Sequence, residues 1–307
     1  MKRAQIVVGA RGSLLSVTQT ESVIGILRRS NPGYSFRLEK ITTLGDRSKE
    51  WGRNDTGIFV KEIEDALLCG KIDIAVHSVK DLPSKIPGKL LLAAVTRRED
   101  PRDVLITKSG ADMFSLPKGC IIGTSSLRRR AQILHIRPDV RISELRGNLD
   151  TRIRKLQDGD YDAIVVAAAG LRRLKIARRV GTPIPPELML PQTGQGALGI
   201  EIRKNDPLAA RLVGCLNDPQ TRSCVSSERA FLLESKAGCR MPVAAFATVS
   251  EQRMSLEGLV ISLDGKRMIR LHASSSIGNA AGMGKRLARQ VLKNGGAQIL
   301  REIRNAA

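Results

Sequence analysis

Cys120-Ile121-Ile122-Gly123-Thr124-Ser125-Ser126-Leu127-Arg128-Arg129-Arg130 passes from one periodicity to another within a few residues. Apolar Cys120-Ile121-Ile122 reads as the end of a buried strand. Three hydroxyl residues follow as N-cap candidates, and Leu127, Ala131 and Leu134 continue at helical spacing. Strand, polar turn and helix in that order form the repeating unit of an α/β sheet. A helix start presents unpaired backbone N–H groups and the positive end of the helix dipole to an anion. The arginine forks add charge and can pair two-by-two with a carboxylate or phosphate. A solvated basic helix start would carry the same residues, so the segment alone leaves both readings open.

The same alternation extends to both sides. Upstream, residues 104–107, 90–95, 72–76, 36–41 and 6–8 read as strands. Residues 14–29, and the stretch bearing Phe59, Ile63, Ala66 and Leu67, read as helices. Two turns, Gly9-Ala10-Arg11-Gly12-Ser13 and His77-Ser78-Val79-Lys80-Asp81-Leu82-Pro83, fall at strand carboxyl ends, where open α/β sheets bind ligands. Downstream, 141–145 and 163–166 read as strands whose loops carry Arg146-Gly147-Asn148, Arg152 and Gly170-Leu171-Arg172-Arg173. A proline-rich passage, 182–191, leads through Gln192-Thr193-Gly194-Gln195-Gly196 into a strand at 197–202, expected to return to the first sheet. Beyond Asp218-Pro219 the pattern becomes a helix at 224–235, strands at 244–249, 256–263 and 267–272, and a helix at 280–293. Asp264-Gly265 joins the last two strands as a hairpin turn. The predicted class is α/β, with two α/β domains (1–98 with 197–216, and 99–196) and a smaller α+β domain at 217–307.

A chain of 307 residues with 42% hydrophobic content builds substantial cores and is no disordered basic tail. Its formal charge of +21 favours anionic partners. Aromatics are only 3%, which leaves few platforms for stacking bases, and no zinc-finger spacing occurs, so nucleic acid is not the favoured partner. No apolar run approaches a membrane span, and Ile6-Val7-Val8 is too short for a signal-peptide core. The five cysteines form no C-x-x-C pair, which argues against a zinc site or a full disulfide framework and fits a reducing cytoplasm.

Asp81, in a loop beside Lys80 and near His77, has the surroundings of a carboxylate that stabilises a transient cation; a turn or cap aspartate before Leu82-Pro83 is the competing reading. Cys239 lies in Lys236-Ala237-Gly238-Cys239-Arg240, where neighbouring cations favour the thiolate, whereas Cys120 sits in an apolar strand and reads as structural. His77, His135 and His272 are scattered without metal-ligand spacing, and no metal is expected.

Taken together, these blocks resemble the porphobilinogen deaminase (hydroxymethylbilane synthase) family. The resemblance is carried by Phe59-Val60-Lys61-Glu62, Ala75-Val76-His77-Ser78-Val79-Lys80-Asp81-Leu82-Pro83 and Arg98-Glu99-Asp100-Pro101-Arg102-Asp103. It continues through 123–129, Leu145-Arg146-Gly147-Asn148, 162–171, Gly194-Gln195-Gly196-Ala197 and Gly238-Cys239, and so runs over nearly the whole chain. It implies two periplasmic-binding-protein-like α/β domains facing a cleft, and a third domain carrying a cysteine. It also implies a dipyrromethane cofactor held by a thioether to that cysteine, here Cys239. On this primer, units of the substrate porphobilinogen lose ammonia and are added head to tail. Four additions precede release of hydroxymethylbilane for haem and other tetrapyrroles.

Each pyrrole carries an acetate and a propionate, so the resemblance assigns arginines to them. Cofactor contacts are implied for Ser78, Lys80, Asp81, Thr124, Ser125, Ser126, Arg128, Arg129, Arg146 and Gly147, and substrate contacts for Arg11, Ser13, Gln19, Arg146, Arg152, Arg173 and Gln195. Asp81 is the implied catalytic residue, hydrogen-bonded to pyrrole N–H and stabilising the cation left by ammonia. A cytoplasmic monomer without membrane or nucleic-acid partner is implied as well. Two departures from the family pattern stand out. Thr56 replaces the usual lysine before Gly57, and Arg240 follows the cysteine where glutamine is common. A non-catalytic anion-binding protein of periplasmic-binding type remains the alternative, though it has no use for Asp81 or Cys239.

Overall fold

The computed structural model describes residues 4–44, 60–176, 181–238 and 241–306. From its amino end, β1 (Ala4–Arg11) is followed by α1 (Leu14–Ser30) and β2 (Tyr34–Ile41). Ser13 caps α1 by accepting from Ser16 N, and Val23, Ile24 and Leu27 supply its buried face at helical spacing. Next come α2 (Lys61–Leu68), β3 (Ile74–Ser78), a 3₁₀ turn (Val79–Asp81) and β4 (Leu90–Val95). The chain continues through β5 (Asp103–Thr107), β6 (Ile121–Gly123), α3 (Leu127–Ile136), β7 (Arg141–Ser143) and α4 (Leu149–Asp158). Then follow β8 (Ala163–Ala167), α5 (Ala168–Arg173), β9 (Thr182–Ile184), β10 (Leu198–Arg203) and α6 (Pro207–Val213).

Two compact units result: Met1–Glu99 with Ala197–Arg222, and Asp100–Gly196 with Ser223–Ala307. The first holds a five-stranded sheet of order β2-β1-β3-β10-β4, with β1, β2 and β3 parallel and β10 antiparallel to both neighbours. Thus the strand after Gly196 does return to the first sheet, between β3 and β4. The second unit repeats the plan as β7-β6-β8-β5-β9, with β6, β7 and β8 parallel and β5 antiparallel to β8 and β9. Continuous apolar runs such as Ala163-Ile164-Val165-Val166 suit strands buried on both faces.

The second unit also contains α7 (Pro219–Glu234) from Ser223 onward, the antiparallel strands β11 (Val243–Ser250), β12 (Arg253–Ile261) and β13 (Met268–Ser276), and α8 (Ala280–Val291). A π turn leads on to α9 (Ala297–Asn305). Phe231, Leu256, Met283, Leu287, Val291 and Leu300 form the core on one face of this sheet. Gly258 is required there, because a Cβ would overlap the Phe231 ring.

Several element boundaries differ from expectation. The strand expected at 72–76 runs from Ile74 to Ser78, because Asp73 already ties itself to Val7 through both its backbone N–H and its carboxylate. Helix α7 starts at Pro219, with Asp218 capping Thr221 N, several residues before the expected 224. The proline-rich passage contains β9, an edge strand in which Pro183 needs no ladder donor.

Candidate functional site

In the first unit, the parallel strands β1 and β3 end side by side. Arg11 closes β1, Ser13 caps α1, and the 3₁₀ turn after Ser78 carries Lys80 and Asp81. Gln19, buried on α1, accepts a hydrogen bond from Ser78 Oγ at 3.4 Å, so two predicted residues from distant segments meet. Asp81 is exposed and Lys80 half-buried. Leu82 N returns to Val79 O, and Val79 N donates to Ala197 O, fixing both ends of the turn. The edge therefore presents a carboxylate, a cation, hydroxyls and an amide together.

In the second unit, the opening stretch forms the expected strand, turn and helix. Gly123 ends β6 where a Cβ would crowd Tyr161 at 2.8 Å. Thr124 Oγ1 accepts from Ser126 N, and Ser126 Oγ caps α3 by accepting from Arg129 N. Ser125 Oγ donates to Leu145 O at 2.8 Å. Of the three arginines, Arg130 is exposed, whereas Arg128 and Arg129 turn inward at 3% and 6% exposure.

Both inward arginines converge on Asp103, the first residue of β5. Arg128 Nη2 lies 2.7 Å from its Oδ2, and Arg129 Nη2 lies 2.8 Å from its Oδ1. Gln195 Nε2 donates to the same Oδ1 at 3.0 Å and to Pro101 O at 2.7 Å. Burial works against the Asp103 charge, but the two guanidiniums and Gln195 more than offset it and hold its carboxyl well below the usual carboxylate range. One carboxylate against two guanidiniums leaves a net positive charge in a dry setting. Arg128 Nη1 donates to Leu190 O, while its buried Nε has no hydrogen-bond acceptor among the described residues.

The remaining basic residues are more open. Arg146 pairs with Glu144 at 2.7 Å, both exposed. Arg152 Nε donates to the carbonyl of Gly147, whose φ of +115° suits only glycine in practice. Arg173 Nη2 donates to Gly196 O at 2.7 Å. Cys239 and Arg240, together with Thr56, Gly57 and Phe59, lie outside the described residues. Cys69, Cys120, Cys215 and Cys224 are in no disulfide. Among the described residues, no group of three or more His, Cys, Asp or Glu side chains could hold a metal ion.

Sequence reasoning gave Asp103 no role. It appeared only within the quoted Arg98–Asp103 block, and its partners are tens of residues away. The available signal was an acidic residue abutting the apolar run Val104-Leu105-Ile106, since an acid at the mouth of a fully buried strand needs cations.

Residues 6–211 match the family described as "Porphobilinogen deaminase, dipyromethane cofactor binding domain", and residues 222–293 match "Porphobilinogen deaminase, C-terminal domain". A porphobilinogen deaminase of Thermus thermophilus is 46% identical over 300 residues, covering 97% of this chain and 99% of that one. One from Roseiflexus castenholzii is 44% identical over 301 residues, covering 97% and 99% respectively. One from Moorella thermoacetica is 44% identical over 303 residues, covering 98% and 97%. Among solved structures, the BenM effector binding domain with benzoate overlaps 70% of this chain and 91% of its own, at a TM-score of 0.44 and 15% identity.

Proposed function

Since the chain belongs to the porphobilinogen deaminase family, we propose that it joins four porphobilinogen molecules head to tail, with loss of ammonia, and releases hydroxymethylbilane. It is a transferase of tetrapyrrole biosynthesis, and most of its length is a dipyrromethane-cofactor-binding domain. The observation that carries the assignment to this site is the start of α3. There a buried guanidinium pair keeps a net positive charge, and Arg128 Nε has no acceptor among the described residues.

The residues present fit a dipyrromethane, whose two rings bring four carboxylates and two pyrrole N–H groups. When bound, that group supplies the primer carbon to which pyrrole units are added. Arg128 and Arg129 receive its carboxylates, and cofactor contacts are assigned as well to Thr124, Ser125, Ser126, Arg146, Gly147, Ser78 and Lys80. Arg11, Ser13, Gln19, Arg146, Arg152, Arg173 and Gln195 bind incoming substrate, the arginines through its carboxylates. Asp81 accepts a pyrrole N–H and offsets the positive charge that develops as ammonia departs. Cys239 holds the cofactor through a thioether. We assign 1–98 with 197–216, 99–196 and 217–307 as the three domains, and a cytoplasmic monomer as the working state. No helix among the described residues is long and apolar enough to cross a membrane.

The test is the intact mass of protein purified from a porphyrin-producing host. It should exceed the sequence mass by one dipyrromethane, located on the peptide holding Cys239 and coloured by an aldehyde reagent for pyrroles. Cys239→Ser should lose the adduct and Cys120→Ser should keep it. An unmodified mass in active protein overturns the attachment.

A further inference from the structure

Beneath the Asp81 turn lie three ionisable side chains that carboxylate binding does not use. Glu64 on α2, His77 on β3 and Glu201 on β10 are 9%, 5% and 0% exposed. His77 Nε2 approaches Glu201 Oε2 at 3.3 Å, within ion-pair reach but long for a hydrogen bond. His77 Nε2, both Glu201 oxygens and Glu64 Oε1 are buried without a hydrogen bond among the described residues. Two carboxyl groups and one imidazole thus share a dry space.

The register explains how they meet. Glu201 pairs with Ala75 on β3, and Ala75 packs with Ile63, Ala66 and Leu67 of α2, so this face of the sheet is the one α2 covers. His77 is two residues further along the same face, opposite Gly199. Other charged groups nearby are engaged or lie at the rim. Arg203, two residues beyond Glu201, donates to the carbonyls of Leu67 and Ile72 and pairs with Asp73 and Asp206. Glu62 Oε1 accepts from Leu44 N. Asp65 neighbours Glu64 on α2, β4 brings no ionisable residue, and β1 brings only Arg11 at its end. Lys80 and Asp81 stand on the turn itself.

Burial without a lysine or arginine partner favours the protonated form of Glu64. Burial, then the charges of Glu201 and Asp65, push the Glu64 carboxyl up to about 7. The turn rests on the strand that carries Glu201. A Cβ on Gly199 would lie 3.1 Å from Leu82 Cδ1 and 3.3 Å from Val79 Cγ2, so the turn's apolar side chains stand on β10 two residues from Glu201 and opposite His77.

We infer that Glu64, His77 and Glu201 form a buried cluster that positions the Asp81 turn, and that ionisation of Glu64 loosens the turn and slows turnover. A second negative charge beside Glu201 in a low-dielectric interior repels it and drives α2 from β3 and β10. The three are positioning residues; none is assigned contact with substrate. The turnover part rests on the function proposed above, whereas the coupling of Glu64 to the turn does not.

Both parts are read on the full-length purified protein. With glutamate side chains carbon-13 labelled, one carboxyl resonance should titrate near pH 7 and be missing in Glu64→Gln. The backbone amide signals of Lys80 and Asp81 should shift with the same midpoint, and that shift should vanish in Glu64→Gln. Glu201→Gln removes the neighbouring charge and should lower the Glu64 midpoint, a second check if Glu64→Gln folds poorly. In steady state, wild-type kcat should fall several-fold through the same midpoint with KM unchanged, and Glu64→Gln should flatten that limb. A Glu64 midpoint in the ordinary glutamate range, or Asp81 amide signals indifferent to it, overturns the inference. If the protein makes no hydroxymethylbilane, the resonance arms still decide the cluster, and only the proposed function fails.

Discussion

Asp81 and Asp103 are both aspartates beside strand ends, and they do opposite things with charge. Asp81 is exposed at the end of a 3₁₀ turn, where its carboxylate is available to a ligand. If it stabilises a cation formed only on the way to carbon–carbon bond formation, its loss lowers kcat far more than it raises KM. Asp81→Asn keeps shape but not charge and should lower kcat on the order of 10²–10³-fold, while Asp81→Glu should retain part of it. The measurement is hydroxymethylbilane formation, read as uroporphyrin after cyclisation and oxidation. Wild-type turnover by Asp81→Asn would leave the turn-cap reading in possession. Asp103 is fully buried and pairs with both Arg128 and Arg129. Asp103→Asn strands two buried cations and should cost about 3–5 kcal/mol in urea unfolding. Arg128→Leu leaves Asp103 paired with Arg129, so it should spare the fold and impair cofactor loading, seen as a missing adduct mass. Equal urea stability of Asp103→Asn and wild type would contradict this division. The role proposed for Asp81 can be read from sequence because the residues that suggest it sit within one local motif. That of Asp103 cannot, because its meaning depends on Arg128, Arg129 and Gln195, which only the fold brings together.

Elements follow the same logic. Strands with unbroken apolar runs, such as β4, were read to their ends, because sequence and burial agree there. The start of β3 was misplaced because Asp73 is spent on anchoring β1, and β9 was missed because proline usually ends a strand. Beyond α8, Gly295 adopts φ of +111° and redirects the chain into α9, so the final helical segment extends further than its first periodicity suggested. Helix α2 carries a consequence for stability. Its Glu64 holds its proton to about pH 7 in the folded state, against an unfolded value of 4.5. The folded state therefore binds more protons between those values, and stability falls as pH rises from about 4.5 through 7. Glu64→Gln cannot lose that proton. It should unfold later than wild type at pH 8, by on the order of 1–3 kcal/mol, with the difference shrinking towards pH 5. Parallel denaturation curves at several pH values decide it; a constant difference across the range would mean that Glu64 does not titrate there.

Over the whole molecule, two five-stranded sheets share one plan, each with a fourth strand antiparallel to both of its neighbours: β10, which returns from a later segment, in the first and β5 in the second. Composition and periodicity were enough for the α/β class, and the returning strand was expected at nearly its observed place. Net charge was legible in amount but not in purpose. Of the formal +21, the structure ties some to internal carboxylates, as at Asp103, Asp100 and Asp73, and leaves exposed cations along α8 and α9. Porphobilinogen carries two carboxylates and one ammonium, so a strongly positive protein attracts it, and a growing chain of pyrroles still more. Such steering acts on encounter and is screened within about 10 Å at 0.1 M salt, whereas the buried guanidinium pair is screened far less. Raising neutral salt from about 10 to 500 mM should therefore lower kcat/KM on the order of tenfold while kcat changes little. Stopped-time assays at subsaturating and saturating porphobilinogen separate the two quantities. If kcat/KM is flat across that range, the surface charge plays no part in capture, and binding rests on the buried arginines and the strand-end loops alone.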